Sequence, residues 1–280
     1  MAPVVVLAAA RGEAARAADV VDVIVRVGVF GAAGRMGAEV CRAVTADPEC
    51  ELVAAVDPRI DAAAVPAGVL TGTDPGVLAE AGADVAVDFT VATSARANAR
   101  WCAANGVHAV IGTSGLTDED VEDLRTLFAD GPAHCVVAPN FAIGAVLMIR
   151  LAEQAAPYFD TVEIIELHHD GKVDAPSGTA VHTAARLAAA SDRWAPDPTT
   201  VDNLPSSRGA KGPADIRVHA VRMRGMVAHQ EVLLGTTGQT LSIRHDSYDR
   251  TSFMPGVLLA VKRVAGRPGV TVGLDNLLDL

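Results

Sequence analysis

VIVRVGVFGAAGRMG, running from Val23 to Gly37, is the stretch that decides the fold. Its first eight residues, Val23–Phe30, are β-branched or apolar apart from Arg26 and Gly28, as a strand buried on both faces of a parallel sheet reads. The run ends in Gly31-Ala32-Ala33-Gly34-Arg35-Met36-Gly37, and a helical pattern continues over Ala38–Thr45 until Asp47-Pro48 stops it. Glycines at such a turn let the backbone reverse tightly and approach a pyrophosphate, which rests on the free N–H groups of the helix that follows. A glycine turn alone is a weak signal, since plain loops carry it too. Here the next apolar run, Glu51–Val56, ends at Asp57, 20 residues after Gly37, where an acid meets the ribose hydroxyls of a bound dinucleotide. Strand, turn and acid together predict a dinucleotide-binding domain. Asp57 suits the free 2′-hydroxyl of NADH. Arg59 and Arg35 can accept the 2′-phosphate of NADPH or can be solvated surface side chains. Both cofactors are expected to serve.

The alternation continues outward. Ala83–Phe89, Val107–Ile111 and His134–Ala138 read as strands, with helices over Thr93–Asn105 and Thr117–Ala129, the latter opened by a capping threonine followed by acids. Such alternation predicts a parallel sheet whose post-strand loops collect ligands. After Pro139-Asn140 the texture changes. A helix over Ile143–Ala156, a strand over Thr161–His168 and a helix over Gly178–Ala190 lead into a polar loop from 191 to 214. Three period-2 runs follow, Ile216–Met223, Val227–Leu234 and Gln239–His245, and their spacing reads as an antiparallel meander. A last helix, Ser252–Val264, is placed to return to the first domain.

Composition limits the function classes. The chain has 280 residues, 50% hydrophobic and 20% charged, with a net charge of -11. Nucleic-acid binding would need a dominant basic field. The apolar runs are too short and too interrupted for a membrane span. Cys41, Cys50, Cys102 and Cys135 are scattered without CxxC spacing, which predicts reduced thiols and a cytoplasmic location. Residues 1–24 are Ala/Val-rich, with charge after the apolar stretch rather than before it. They read as a disordered or weakly helical extension, or a start assigned too far upstream, and not as a signal peptide.

The second informative stretch is ELHHDGKVDAPSGTA, Glu166 to Ala180. Adjacent histidines on a strand face opposite ways, so His168 and His169 are poor ligands for one metal, and no metal is expected. Pro176-Ser177 before a helical run places Ser177 as an N-cap with Gly178 and Thr179 in the first turn. The free N–H groups and helix dipole favour an anion there. Gly178 leaves the backbone open, Thr179 adds a hydroxyl and Lys172 adds a full cation. The result is a candidate carboxylate clamp beside histidines that titrate near neutral pH; the plainer alternative is a capped helix after a polar loop.

The same segment resembles the signature of the dihydrodipicolinate reductases, E-(L/I)-H-H-x-x-K-x-D-A-P-S-G-T-A. VGVFGAAGRMG at the turn, VDFT at 87–90, IGTSG at 111–115, APNFAIGA at 138–145, VHAVRMRGMVAHQEVLLG at 218–235 and IRHDSYDRTSFMPGVLLAV at 243–261 agree with that family, in its actinobacterial form. The resemblance runs from about residue 25 to the end. It implies an NADH- or NADPH-dependent oxidoreductase of lysine and diaminopimelate synthesis that reduces a cyclic, doubly carboxylated imine. By motif position, His168 is the expected proton donor. Lys172 binds a carboxylate or assists protonation, and His169, Ser177, Gly178 and Thr179 orient the substrate. Gly31, Gly34, Arg35, Met36 and Gly37 are expected at the pyrophosphate and Asp57 at the ribose. Phe89, Thr90, Gly112, Thr113 and Ser114 border the nicotinamide half, and Ala138, Pro139, Asn140 and Phe141 join the domains. The implied architecture is α/β: a Rossmann domain from 25–140 and 253–280, and an α+β substrate and oligomerisation domain, 141–252, whose open mixed sheet is buried in a homotetramer.

Overall fold

The computed structural model describes residues 24–278, so the expectation for the N-terminal extension falls, but for Ile24, outside the described residues. β1 (Val25–Phe30) leads through the glycine turn into α1 (Arg35–Ala46), then β2 (Cys50–Val56), β3 (Leu70–Gly72), α2 (Gly76–Glu80), β4 (Val85–Asp88), α3 (Ala92–Asn105), β5 (His108–Ile111), α4 (Asp118–Leu127) and β6 (Cys135–Val137). Near the C-terminus, α7 (Met254–Arg263) and β12 (Val270–Val272) come back to this layer. The sheet order is β12-β6-β5-β4-β1-β2-β3 and every neighbouring pair is parallel. All the strands therefore end on one edge. The order reverses between β1 and β4, the crevice where doubly wound sheets bind ligands.

The runs are apolar because both faces of this sheet are covered. On one side Val27 and Val29 pack with Val40 and Val44 of α1 and Val257 and Val261 of α7. On the other, Phe30, Ala54 and Ala86 pack with Leu78 of α2 and Ala95, Ala99 and Cys102 of α3. All four cysteines are free and buried. Burial pushes the Cys41 thiol up to about 11 and the Cys102 thiol up to about 12, so neither is a thiolate near neutral pH.

A long helix, α5 (Ile143–Ala155), carries the chain to a second sheet made of β7 (Thr161–His168), β8 (Ala210–Lys211), β9 (Arg217–Arg222), β10 (Ala228–Thr236) and β11 (Gln239–Ser247), with α6 (Gly178–Ala190) between β7 and β8. One face of it is covered: Ile164, Val218, Val232 and Leu234 pack on Met148, Ile149 and Ala152 of α5 and Ala180, Ala184 and Leu187 of α6.

The strand order, β11-β10-β7-β9-β8, corrects the expected meander. β10 and β11 do form an antiparallel hairpin. β9, however, lies on the far side of β7 and runs parallel to it, so β9 and β10 are not neighbours. The reason is α6. A helix between two strands is the crossover a parallel pair needs, so β7-α6-β9 closes as one unit, and β10 is left the other edge of β7. The last helix also starts later than the expected Ser252: a 3-10 turn over Arg250–Phe253 precedes α7, with the Asp249 carboxylate accepting from the Thr251 N–H at 2.8 Å. Among the described residues no helix is long and apolar enough to cross a membrane.

Candidate active site

The glycine turn is tight for a definable reason. Gly31 adopts a φ of +74°, and a Cβ at Gly37 would lie 2.0 Å from the Gly31 carbonyl oxygen. Only glycine lets α1 start this close to the end of β1. At its N-cap, Gly34, α1 has no side-chain cap, and its first turn holds no acid, which leaves first-turn N–H groups free for an anion. Asp57 follows β2 and is buried. Its Oδ1 accepts the Arg59 N–H at 2.8 Å, with the exposed Arg59 guanidinium 3.8 Å away. Beside it a cleft of about 570 Å³, lined by Ala32, Ala33, Arg59, Ile60 and Val65 among others, opens between α1 and the loop after β2. Arg35 and Met36 occupy the start of α1, with Arg35 exposed. These residues fit the diphosphate and ribose of a dinucleotide.

The strand ends beyond the turn are organised by a residue that sequence reasoning quoted but gave no role, Asp88. It is buried at the end of β4. Its Oδ1 accepts the Thr90 N–H (2.8 Å), the Thr90 hydroxyl (2.7 Å) and the Thr113 hydroxyl (3.0 Å), and its Oδ2 accepts the Asn98 amide at 2.7 Å. One carboxylate thus ties the loop after β4 to the loop after β5. Gly112 lies flat against Phe89, since a Cβ there would fall 2.2 Å from the ring. Phe89 in turn meets Phe141, ring centroids 5.7 Å apart, and Thr90 packs on Gly31. Phe89, Thr90, Gly112, Thr113 and Phe141 are therefore one assembly around the ends of β1, β4 and β5. Ser114 and Pro139 are exposed at its rim. Ala138 is buried, its N–H donating to the Ile111 carbonyl, and Asn140 caps the joint by accepting the Ala142 N–H at 2.8 Å.

On the second sheet the decisive residue is Glu166. Period-2 alternation puts Val162, Ile164, Glu166 and His168 on the covered face of β7, and Glu166 is fully buried there. Its carboxylate accepts four hydrogen bonds: Arg222 Nη1 and Nη2 (each 2.8 Å), the Ser177 N–H (3.0 Å) and His168 Nδ1 (2.5 Å). Burial alone would raise its pKa. The Arg222, His168 and Ser177 hydrogen bonds outweigh that and hold it below the usual carboxylate range. His168 is half-buried at the strand end. Burial lowers its pKa, Glu166 opposes that, and the Lys172 and Arg222 cations add to it.

Ser177 caps α6, its hydroxyl accepting the Ala180 N–H at 3.2 Å. Space is open around Gly178, and Thr179 sits half-buried in the first turn. Lys172 does not point at an empty clamp. Its Nζ donates to both Asp174 oxygens at 2.8 Å. Glu166 thus draws His168, Arg222 and the start of α6 together, and Lys172 lies in the loop that joins them. His169 is exposed past the strand end, and its carbonyl accepts the Lys172 N–H at 3.2 Å. Arg222 lies within the quoted stretch 218–235 but was given no role there. Its signal was indirect: a buried acid at position 166 needs a cation, and a parallel neighbour of His168 can supply one.

Comparisons with known proteins bear on both halves of the chain. The model of the dihydrodipicolinate reductase N-terminus matches residues 25–141, and that of the C-terminus matches residues 144–278. The chain is 50% identical over 257 residues to a 4-hydroxy-tetrahydrodipicolinate reductase of Mycobacterium ulcerans, covering 91% of this chain and 99% of that one. It is 48% identical over 261 residues to one of Corynebacterium urealyticum, covering 92% and 100%. Among solved structures, a dipicolinate-bound dihydrodipicolinate reductase from Paenisporosarcina sp. TG-14 superposes with a TM-score of 0.82 at 38% identity, covering 90% of this chain and 99% of that one. An amine dehydrogenase from Mycobacterium smegmatis shares the fold alone, with a TM-score of 0.60 at 15% identity over 88% and 94% of the two chains.

Proposed function

The chain belongs to the dihydrodipicolinate reductase family, and we propose that it reduces 4-hydroxy-tetrahydrodipicolinate to tetrahydrodipicolinate with NADH or NADPH, using His168 as the proton donor. It is a nicotinamide-dependent oxidoreductase of lysine and diaminopimelate synthesis. The observation that carries the finer reading is the convergence on Glu166 of the His168 ring and the N-terminus of α6, with Lys172 in the connecting loop. A proton donor and two features suited to carboxylates thus share one site, as a doubly carboxylated cyclic imine requires.

When bound, a reduced nicotinamide would be held by the glycine turn, Asp57 and the Phe89–Phe141 assembly and would supply the hydride. The chain's own residues do the rest. Lys172 and the N–H groups at Gly178 and Thr179 bind the substrate carboxylates, with His169 and the capped Ser177 beside them. Loss of the hydroxyl as water leaves a conjugated imine, whose ring C4 accepts the hydride. The enamine that results takes one proton, and His168 Nε2 delivers it, to be recharged from solvent. Arg59, exposed beside Asp57, and Arg35, exposed at the start of α1, support use of either cofactor. We extend the proposal to assembly. The uncovered face of the second sheet carries half-buried Ile165, Leu167 and Leu233 and supports a homotetramer, checked by light scattering.

The test is loss of reduced-nicotinamide absorbance, with substrate made in situ by the preceding synthase from pyruvate and aspartate semialdehyde, NADH and NADPH side by side. We expect turnover with both, falling by roughly 10²–10⁴ in His168→Gln. A protein that binds dinucleotide but oxidises neither cofactor would sink the substrate assignment. A His168→Gln variant of undiminished turnover would sink the proton donor.

A further inference from the structure

We propose that Glu166 and Arg222 are positioning residues for the reaction: Glu166 fixes the orientation and tautomer of the His168 ring, and Arg222 locks the Glu166 carboxylate in place. The inference rests on the reading of His168 as proton donor and extends it to two residues that act through its ring.

The geometry leaves little freedom. A carboxylate has about four lone-pair sites on two oxygens, and here all four are taken. Arg222 occupies one on each oxygen in a two-pronged pair, the Ser177 N–H takes a second on Oε1, and His168 Nδ1 takes a second on Oε2. Glu166 is wholly shielded from water, so a charge there demands such pairing. Arginine stays charged, and its planar fork matches a carboxylate. An ionised carboxylate only accepts, so the 2.5 Å contact requires the proton to sit on His168 Nδ1. That assigns the remaining nitrogen, Nε2, as the one that gains and gives the catalytic proton. The pairing of a ring nitrogen with a fixed carboxylate sets both ring orientation and tautomer.

The fold explains why these residues meet. On β7, Glu166 and His168 are two apart and share a face. The parallel register pairs His168 with Arg222 on β9. The α6 crossover that makes that pairing parallel also delivers the Ser177 N–H. Arg222 Nη2 donates to the Asp174 carbonyl as well, at 2.6 Å, so the same guanidinium ties down the Lys172 loop.

The charged and titratable groups around the ring are few. Glu166 lies on its own strand, Lys172 and Asp174 lie in the loop after it, and Arg222 lies on β9. Across the sheet, β10 brings uncharged Ala228 and Gln230, while β11 brings His245 and Ser247. Among the described residues Glu166 is the one anion hydrogen-bonded to the ring, and Arg222 is a cation whose charge opposes imidazolium formation. The two substitutions therefore have opposite signs. Glu166→Gln removes the anion and moves protonation of His168 to lower pH. Arg222→Gln removes the opposing cation and moves it to higher pH.

The experiment measures two things in the purified full-length chain. The first is the ring 15N titration of His168 by NMR in the resting protein. The second is the pH profile of kcat/KM. We expect the His168 midpoint and the alkaline limb to move acidward in Glu166→Gln and alkaline in Arg222→Gln. Each shift of one pH unit appears as about a tenfold change in rate on the falling limb. Glu166→Asp, which keeps the charge, should bring the limb back toward its original place. Should Glu166→Gln fail to fold, Arg222→Gln and Glu166→Asp carry the same test. A His168 midpoint unmoved in folded variants, or displaced the same way in both, overturns the inference. Because the titration needs no turnover, it separates the two proposals. An active His168→Gln would remove the proton-donor reading, whereas opposite shifts would still establish that Glu166 and Arg222 set the ring.

Discussion

Asp88 and Glu166 are both buried carboxylates near the ends of strands, yet the donors they meet are different in kind. Asp88 accepts a backbone N–H, two threonine hydroxyls and an asparagine amide, none of which titrates. Glu166 accepts an arginine, a histidine and a helix N–H. The first arrangement can only hold loops in place. The second holds a loop, a helix start and a ring that can gain and lose a proton. Each buried acid serves as scaffold, but only Glu166 is wired to a proton. The Asp88 cluster therefore fixes donors that keep one protonation state, whereas the Glu166 cluster includes one, His168, that does not.

The largest effect should come from removing Asp88. Asp88→Ala strands four donors, and an unsatisfied buried donor costs on the order of 1–3 kcal/mol unless water reaches it. We expect a loss of about 3 kcal/mol in urea unfolding, with weaker nicotinamide binding, while the pH profile of the remaining activity keeps its shape. A displaced alkaline limb in this variant would erase the contrast with Glu166.

Gly37→Ala should come next. Its methyl would meet the Gly31 carbonyl at 2.0 Å, a backbone atom that cannot swing aside, so α1 must shift from the end of β1. Overpacking of this kind costs roughly 1–3 kcal/mol. Read by fluorescence titration, dinucleotide affinity should fall about tenfold or more, by the same factor at pH 6 and pH 8. A pH-dependent loss would mean that the two halves are coupled more tightly than their separate carboxylates suggest.

How far all this could be read in advance follows the range of each interaction. The glycine turn, Asp57 and the Ser177 cap are local, and adjacent residues spelled them out. The parity of Val162, Ile164, Glu166 and His168 was legible too, because a strand alternates whatever surrounds it. What the chain order concealed was partnership. Arg222 meets Glu166 across 56 residues, and no spacing rule points from one to the other. The meander failed for the same reason: period-2 runs reveal that strands exist, not which edge of β7 each will join. β3 and β12, at three residues each and with no fully buried position, are too short to carry a pattern. Lys172 lies in the loop before α6, but its pairing with Asp174 depends on how that loop folds back.

That pairing sets the smallest effect and the finest test. Asp174 is a third carboxylate at the site, and unlike the other two it is open to water, 58% exposed against 21% for Lys172. The Lys172 hydrogen bond, first among several causes, holds its carboxyl below the usual range, so Asp174 stays charged wherever the enzyme works. A substrate carboxylate that binds Lys172 competes with Asp174, which already takes two of the three ammonium donors. Exposed pairs contribute only about 0.2–1 kcal/mol, so the competition is mild. Asp174→Asn removes the competing charge and keeps the backbone carbonyl that Arg222 holds. It should lower KM for the dicarboxylate by no more than about fivefold, with kcat and cofactor affinity little changed. A KM that rises instead would recast Asp174 as the group that aims Lys172. The exposed carboxylate would then belong with Glu166 among the positioning residues, and burial would no longer mark which acids organise this site.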